Sequence, residues 1–243
     1  DLLHEAGVKV LPNPYGRRLT ESEIISHLHG VDGLIAGLEP LNHNVLHSSP
    51  KLKALARVGI GMDNVDLKAA EELGVKVSNT PDGPTQAVAE MTLAAMLLLC
   101  RNVIQANTDL HEKVWKKSIG TGLQGAKVLL VGYGRIGRAV GRVVASLGAE
   151  ILVTDPLIAK GELVNGEKLI DFYDALQVAD VISLHAGGRE VLLGVEEFNK
   201  MKDGVIILNG ARGELIDEDA LIENLDNGRV NGAWMDVFRE EPY

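Results

Sequence analysis

Apolar runs and polar, helix-forming stretches alternate along this chain in blocks of strand and helix length. Lys127-Val128-Leu129-Leu130-Val131 lies between Gly125 and Gly132, the pattern of a strand buried on both faces. A helical stretch follows and ends at Leu147-Gly148, and a second apolar run, Glu150-Ile151-Leu152-Val153-Thr154, comes next. Later strands are predicted at 181–184, 205–208 and 232–235, with a helix over 217–227 stopped by Gly228. The first 80 or so residues keep the same rhythm. A helix over 2–6 is stopped by Gly7, and strands are predicted at 8–11, 33–37, 52–58 and 75–77. Thr20-Glu21-Ser22-Glu23 reads as a capping box before an apolar helix, and Asp66 reads as the cap of a helix ending at Leu73-Gly74. Repeated strand–helix alternation points to parallel sheets covered on both faces, an α/β fold. Pro81-Asp82-Gly83-Pro84 interrupts the rhythm and is the expected boundary between a domain over 1–82 and one over 83–243.

The richest local signal is Gly132-Tyr133-Gly134-Arg135-Ile136-Gly137, set between the first of those apolar runs and its helix, with Asp155 18 positions after the last glycine. This is the spacing of a dinucleotide fingerprint. Gly132 permits a tight turn, Gly134 lets a pyrophosphate approach the backbone, and Gly137 lets helix and strand pack closely. The N–H groups at the helix start attract the phosphates. Asp155 accepts from the adenosine ribose hydroxyls and repels a 2′-phosphate, so the expected cofactor is NAD.

Composition narrows the partners. Twenty-four basic against 34 acidic residues leave a net charge of −10 with no basic run, which argues against nucleic acid and anionic membrane surfaces. An anionic substrate must therefore be drawn in by local arginines and helix N-termini. The single cysteine, Cys100, rules out an internal disulfide and suits a reducing cytoplasm. No signal-peptide pattern opens the chain, and no metal site is expected. The most apolar stretch, 87–100, contains Glu90 and falls short of the roughly 20 residues that span a bilayer. It reads as a buried helix, within a longer one over 85–101 that precedes a polar stretch around Trp115. The chain opens inside a helix and stops at Glu241-Pro242-Tyr243, so it reads as most of a protein, with a further strand and a closing element expected outside it.

Four stretches carry a resemblance. They are Arg57-Val58-Gly59-Ile60-Gly61-Met62-Asp63-Asn64-Val65-Asp66; Asn79-Thr80-Pro81 through Val88-Ala89-Glu90; the glycine fingerprint with Asp155; and Asn209-Gly210-Ala211-Arg212-Gly213-Glu214 on to Asp236-Val237-Phe238-Arg239-Glu240-Glu241-Pro242. In this order they resemble the D-isomer-specific 2-hydroxyacid dehydrogenases, most closely the phosphoglycerate-dehydrogenase-like branch. The resemblance implies a Rossmann-type doubly wound parallel sheet plus a smaller flavodoxin-like α/β substrate domain, with NAD in the cleft and closure about a hinge near Pro81–Pro84. It implies reversible hydride transfer between NAD and C2 of a D-2-hydroxy acid, phosphoglycerate being one candidate.

By the same resemblance, Arg212 is the catalytic arginine, gripping the carboxylate and the C2 oxygen with its planar fork. Glu241 is the acid that pairs with a catalytic histidine and raises its pKa. The N–H groups of Val58 and Gly59 grip the substrate carboxylate. Ile60, Arg135, Ile136, Asp155, Gly210, Ala211 and Asp236 line the cofactor, and Arg212 reaches both ligands. The helix around 87–100 helps bury a homodimer interface. The family's histidine is expected beyond Tyr243, and none of the seven histidines present matches it by motif. His185 ends a strand and reads as a satisfied structural residue. The proline-containing connection usual after that position is replaced by Ala186-Gly187-Gly188-Arg189-Glu190. Two other functions remain open at this point: an NAD-sensing, co-repressor-like binding protein, and a dehydrogenase of the phosphite or formate type.

Overall fold

Parallel pairing dominates both units into which the chain divides, Asp1–Pro84 and Thr85–Tyr243. The computed structural model describes residues 2–158 and 166–241, so Pro242 of the fourth stretch lies outside the described residues. The first unit runs α1 (Leu2–Glu5), α2 (Glu21–His27), β1 (Gly33–Ala36), α3 (His43–His47), β2 (Ala54–Arg57), α4 (Leu67–Glu72) and β3 (Lys76–Asn79). Its strands pair in the order β1-β2-β3, with Leu34 opposite Leu55 and Leu55 opposite Val77. Asp66 starts α4 by accepting the Ala69 N–H at 3.0 Å, and Gly74 ends it at φ +69°. At the start of α2 the Glu23 carboxylate accepts the Thr20 N–H at 2.8 Å, and its hydrogen bond to Arg17 lowers its pKa to about 2.

Two expectations fail in this unit. Residues 8–11 form no strand: Val8 and Leu11 are exposed, and no described strand offers them a ladder. An apolar run gains little as a strand when its N–H and C=O groups have no neighbour to pair with. The strand predicted at 33–37 is not buried throughout either. Leu34, Ala36, Leu55 and Val77 face a core built on Ile24, Leu28, Leu41 and Leu46, whereas Ile35 on the opposite sheet face is 61% exposed.

The second unit runs α5 (Thr85–Cys100), α6 (Val103–His111), β4 (Lys127–Val131), α7 (Arg135–Ser146), β5 (Glu150–Thr154), β6 (Lys168–Leu169), α8 (Phe172–Leu176), β7 (Val181–Leu184), α9 (Val195–Lys200), β8 (Val205–Asn209), a 3-10 turn (Gly213–Leu215), α10 (Glu218–Asp226) and β9 (Val230–Met235). All six strands are parallel, in the order β6-β5-β4-β7-β8-β9. The order reverses between β4 and β7, which is the mark of a doubly wound sheet and the place where its ligands bind. One core packs Phe198, Leu176 and Ile216 on one face of the sheet; the other packs Met96, Val140 and Val144 on the opposite face. β7 and β8 are buried along their whole length, as their largely apolar runs require, with Ser183 and Asn209 the buried polar members.

α5 buries Ala89, Thr92, Ala95, Met96 and Cys100 but leaves Met91 52% and Leu98 38% exposed. The polar stretch after it contains α6, which polarity alone hid. Asn102, left-handed at φ +53°, separates the two helices, which bend by 63°. Among the described residues no single helix is long and apolar enough to cross a membrane.

Candidate functional site

The three fingerprint glycines are required for three different reasons. Gly132 sits at φ +91°, and a Cβ there would lie 2.6 Å from the Ala186 nitrogen and 2.7 Å from the His185 carbonyl carbon. Gly137 has no room because a Cβ would approach the Gly132 oxygen to 2.3 Å. Gly134 meets nothing within 4 Å, so no contact within the chain demands a glycine. It is also the N-cap of the 12-residue α7 and offers no capping side chain. The N-terminus of such a helix carries backbone N–H donors and a positive dipole end, the arrangement that takes an anion.

Asp155 follows β5 directly. Its carboxylate accepts the Tyr133 N–H at 2.7 Å through Oδ2 and the Leu157 N–H at 2.8 Å through Oδ1. Two backbone donors fix its orientation beside the turn, and a carboxylate keeps acceptor capacity for two more. A cavity of about 410 Å³, lined by Thr154, Asp155, Pro156, Leu169, Ile170, Asp171 and Phe172, opens at this end of β5. Arg135 is exposed in the first turn of α7, while Ile136 is half-buried and packs on the core. Tyr133 is buried, with its hydroxyl donating to Glu167 and the Arg138 guanidinium 5.0 Å over its ring. Burial, reinforced by Glu167, raises the Tyr133 pKa.

His185 backs the turn. Its N–H donates to the Val131 oxygen at 2.7 Å and its Nε2 pairs with Ser183 Oγ at 2.9 Å. Burial pushes its pKa down to about 4, so the ring is neutral at pH 7.

At the end of β8 the fully buried Asn209 organises the second cluster. Its Oδ1 accepts the Ala211 N–H at 3.1 Å, its Nδ2 donates to the Arg212 oxygen at 2.8 Å, and its backbone oxygen accepts the Asp236 N–H at 2.9 Å. Arg212 Nη1 donates to the Ala211 oxygen at 2.7 Å. Gly213 brings in the chain that follows β9: a Cβ there would lie 2.1 Å from the Phe238 carbonyl carbon. Glu241 then accepts the Phe238 N–H at 3.0 Å. Gly210, Ala211, Arg212, Asp236 and Glu241 are thus tied to one stretch at the carboxyl ends of β8 and β9. The sequence reading passed over Asn209 as a site residue, although a polar residue closing the run Val-Ile-Ile-Leu was a usable signal.

Val58, Gly59 and Ile60 lie in the first unit, after β2. The Val58 N–H donates to the Ala36 oxygen at 2.8 Å, and the Gly59 N–H donates to Thr80 Oγ1 at 2.7 Å. Both donors expected to grip a carboxylate are therefore engaged inside the unit in this structure. The physical reason is that β1 and Thr80 supply nearer acceptors. Asn79 Nδ2 holds the Ile60 oxygen at 2.9 Å, and Gly59 adopts φ +131° with the Arg57 guanidinium curled against it. Arg57 Nε is buried with no partner among the described residues.

Such a sheet, with a glycine turn on β4, an acid on β5 and an arginine loop on β8, defines a dinucleotide-binding fold. Residues 93–243 match the NAD binding domain of the D-isomer specific 2-hydroxyacid dehydrogenases, and the chain belongs to that family. It is 36% identical to the D-3-phosphoglycerate dehydrogenase of Methanocaldococcus jannaschii, over 100% of this chain and 48% of that protein. It is 36% identical to the hydroxypyruvate reductase of Thermotoga maritima, over 92% of this chain and 74% of that protein. Among solved structures, the D-lactate dehydrogenase of Aquifex aeolicus complexed with NAD and lactic acid superposes with a TM-score of 0.82 at 26% identity, covering 89% of this chain and 67% of that one. The chain spans about half the length of the D-3-phosphoglycerate dehydrogenase it matches. The residues present fit NAD: the glycine cradle has room only for backbone, Gly134 leaves the α7 N-terminus open, and Asp155 is held at the end of β5.

Proposed function

We propose that this chain serves NAD-dependent interconversion of a D-2-hydroxy acid and its 2-keto acid. Gly132, Gly134, Gly137 and the first turn of α7, with Arg135 and Ile136, hold the diphosphate side of the cofactor, and Asp155 holds the adenosine ribose. Ile60, Gly210, Ala211 and Asp236 are assigned to the cofactor as well. When bound, NAD(H) accepts or supplies the hydride at C2. Arg212 grips the carboxylate and offsets the charge that develops on the C2 oxygen. Glu241 raises the pKa of a histidine that exchanges the proton with that oxygen, as the family resemblance implies. The observation that carries this reading is the Asn209 hub, which ties the main chain of Arg212 and of Asp236 to one point on the sheet edge where ligands of such folds bind.

The substrate is proposed to be a small 2-keto acid such as glyoxylate, hydroxypyruvate or 3-phosphohydroxypyruvate, and the compartment a cytoplasmic one. A homodimer is supported by the apolar residues that α5 and α6 leave open, among them Met91, Leu98, Ile104 and Leu110, with Trp115 91% exposed beyond them. The test is NADH oxidation against a panel of 2-keto acids. Turnover on at least one member is expected, with Arg212→Gln lowering kcat/KM about 10³-fold. Tight NADH binding with no turnover on any member would replace the dehydrogenase by an NAD-sensing binding protein.

A further inference from the structure

Gly210 opens the arginine loop and is held by none of the contacts described above. Ala211 and Arg212 are held by Asn209, and Gly213 is wedged against Phe238. Gly210 differs from Gly132 and Gly59 in another respect, because its φ lies outside the left-handed region. A side chain there would meet no left-handed backbone strain, only a close ring that would have to give by about a few tenths of an ångström. A Cβ would lie 3.3 Å from Cζ3 and 3.4 Å from Cη2 of Trp234, with Thr92 Oγ1 next at 3.8 Å. The indole belongs to β9, where Trp234 stands in register opposite Leu208. Its benzo ring therefore reaches past the end of β8 and lies against the first residue of the loop. It is half-buried, packed on the same core as α5, whose Thr92 is fully buried.

We propose that Trp234 is a positioning residue for Arg212. Its indole is the wall against which Gly210 rests, and that contact sets how the Gly210–Arg212 loop leaves the sheet. Arg212 is only two residues on, and Asn209 also holds the loop, through the Ala211 N–H and the Arg212 oxygen. Loop position is thus set by a polar hub and an aromatic wall together. The pair is matched in size: a larger residue at 210 pushes the loop off the indole, and a smaller one at 234 leaves the loop unsupported. The consequence falls on the β8 loop, on Arg212 and the cofactor-lining Gly210 and Ala211 together, and not on the glycine turn of β4, two strands away.

This inference rests on the reading of Arg212 as the carboxylate-binding residue, and a size-swap cycle tests it. Gly210→Ala adds the methyl group, Trp234→Phe removes the benzo ring, and the double variant combines them. Each single variant is expected to lower kcat/KM for the 2-keto acid about 10-fold, and the double variant to recover to within about threefold. Hydrogen exchange gives a readout free of turnover. Amides of residues 211–213 exchange faster in each single variant and return in the double, while those of 206–208 stay protected. If no keto acid is turned over, the functional reading fails and exchange alone decides the role of Trp234. Unchanged exchange and kinetics in the single variants, or a double variant no better than the worse single one, would overturn the proposal.

Discussion

The chain contains two glycine turns after parallel strands, Arg57–Gly61 and Gly132–Gly137, and they are built on different materials. Gly132 is enclosed by backbone: Ala186 and His185 on one side, and its own oxygen against Gly137. Gly59 is enclosed by the tip of a long side chain, since its nearest neighbour is Arg57 Nη1. Backbone in the middle of a buried sheet cannot retreat, whereas a guanidinium can swing away. The turn in the second unit is a rigid cradle for a ligand of fixed shape, while that in the first unit is a pliable surface. Its amides are also occupied by Ala36 and Thr80, which suits a region that adapts when a ligand competes for them.

The most damaging way to probe this contrast is Gly132→Ala. The methyl group meets backbone at 2.6 Å in a left-handed conformation, so a loss of about 3–5 kcal/mol of stability is expected from strain and overpacking together, read by denaturant unfolding. A loss below about 1 kcal/mol would show the cradle to be no more rigid than the other turn. Asp155→Asn comes next. It removes a charged acceptor beside the cradle, and the expected rise in NADH Kd is about 30-fold, or about 2 kcal/mol, with NADPH affinity gaining. Unchanged discrimination between the two cofactors would remove Asp155 from the ribose site.

Gly59→Ala tests the pliable side. The backbone strain at φ +131° remains, but Arg57 can move, so about 1–2 kcal/mol is expected. A cost equal to that at Gly132 would dissolve the comparison. The smallest effect belongs to acid. His185 has a folded pKa near 4, below its unfolded value of about 6.5, so the unfolded chain takes up the proton first as pH falls. Its contribution is intact above pH 6.5 and is lost progressively from there toward pH 4. Between pH 7.5 and 5.5 the loss is about 1 kcal/mol, and His185→Gln, which keeps a polar partner for Ser183 and cannot be protonated, should lack it. Equal pH profiles for the two proteins would refute the assignment.

Much of the second unit was legible in the residues. β4, β5 and β7 are continuous apolar runs punctuated by glycine, and burial on both sheet faces demands that composition. The cap at Asp66 was legible for a local reason, a short carboxylate one residue before a helix, while Asp217, read as the first helical residue, proves to be the cap of α10. The first unit was read less well. Residues 8–11 have a strand's composition and no described strand beside them; in the second unit the missed element is α6, a helix whose polar surface shows little periodic contrast. The fingerprint glycines were told apart by their spacing, whereas nothing in the sequence says that a side chain at Gly210 would meet an aromatic ring from another strand.

The sequence by itself determined the parallel α/β class, the dinucleotide turn with Asp155, and the family, because these follow from local periodicity and fixed spacing. Tertiary structure alone decided that Asn209 is the hub for Arg212 and Asp236, that Trp234 is the wall for Gly210, and that Gly213 admits the chain at Phe238. Apart from the local bond of Asn209 to Arg212, each joins residues more than 20 positions apart in the chain, and the register of β8 against β9 brings them within contact distance.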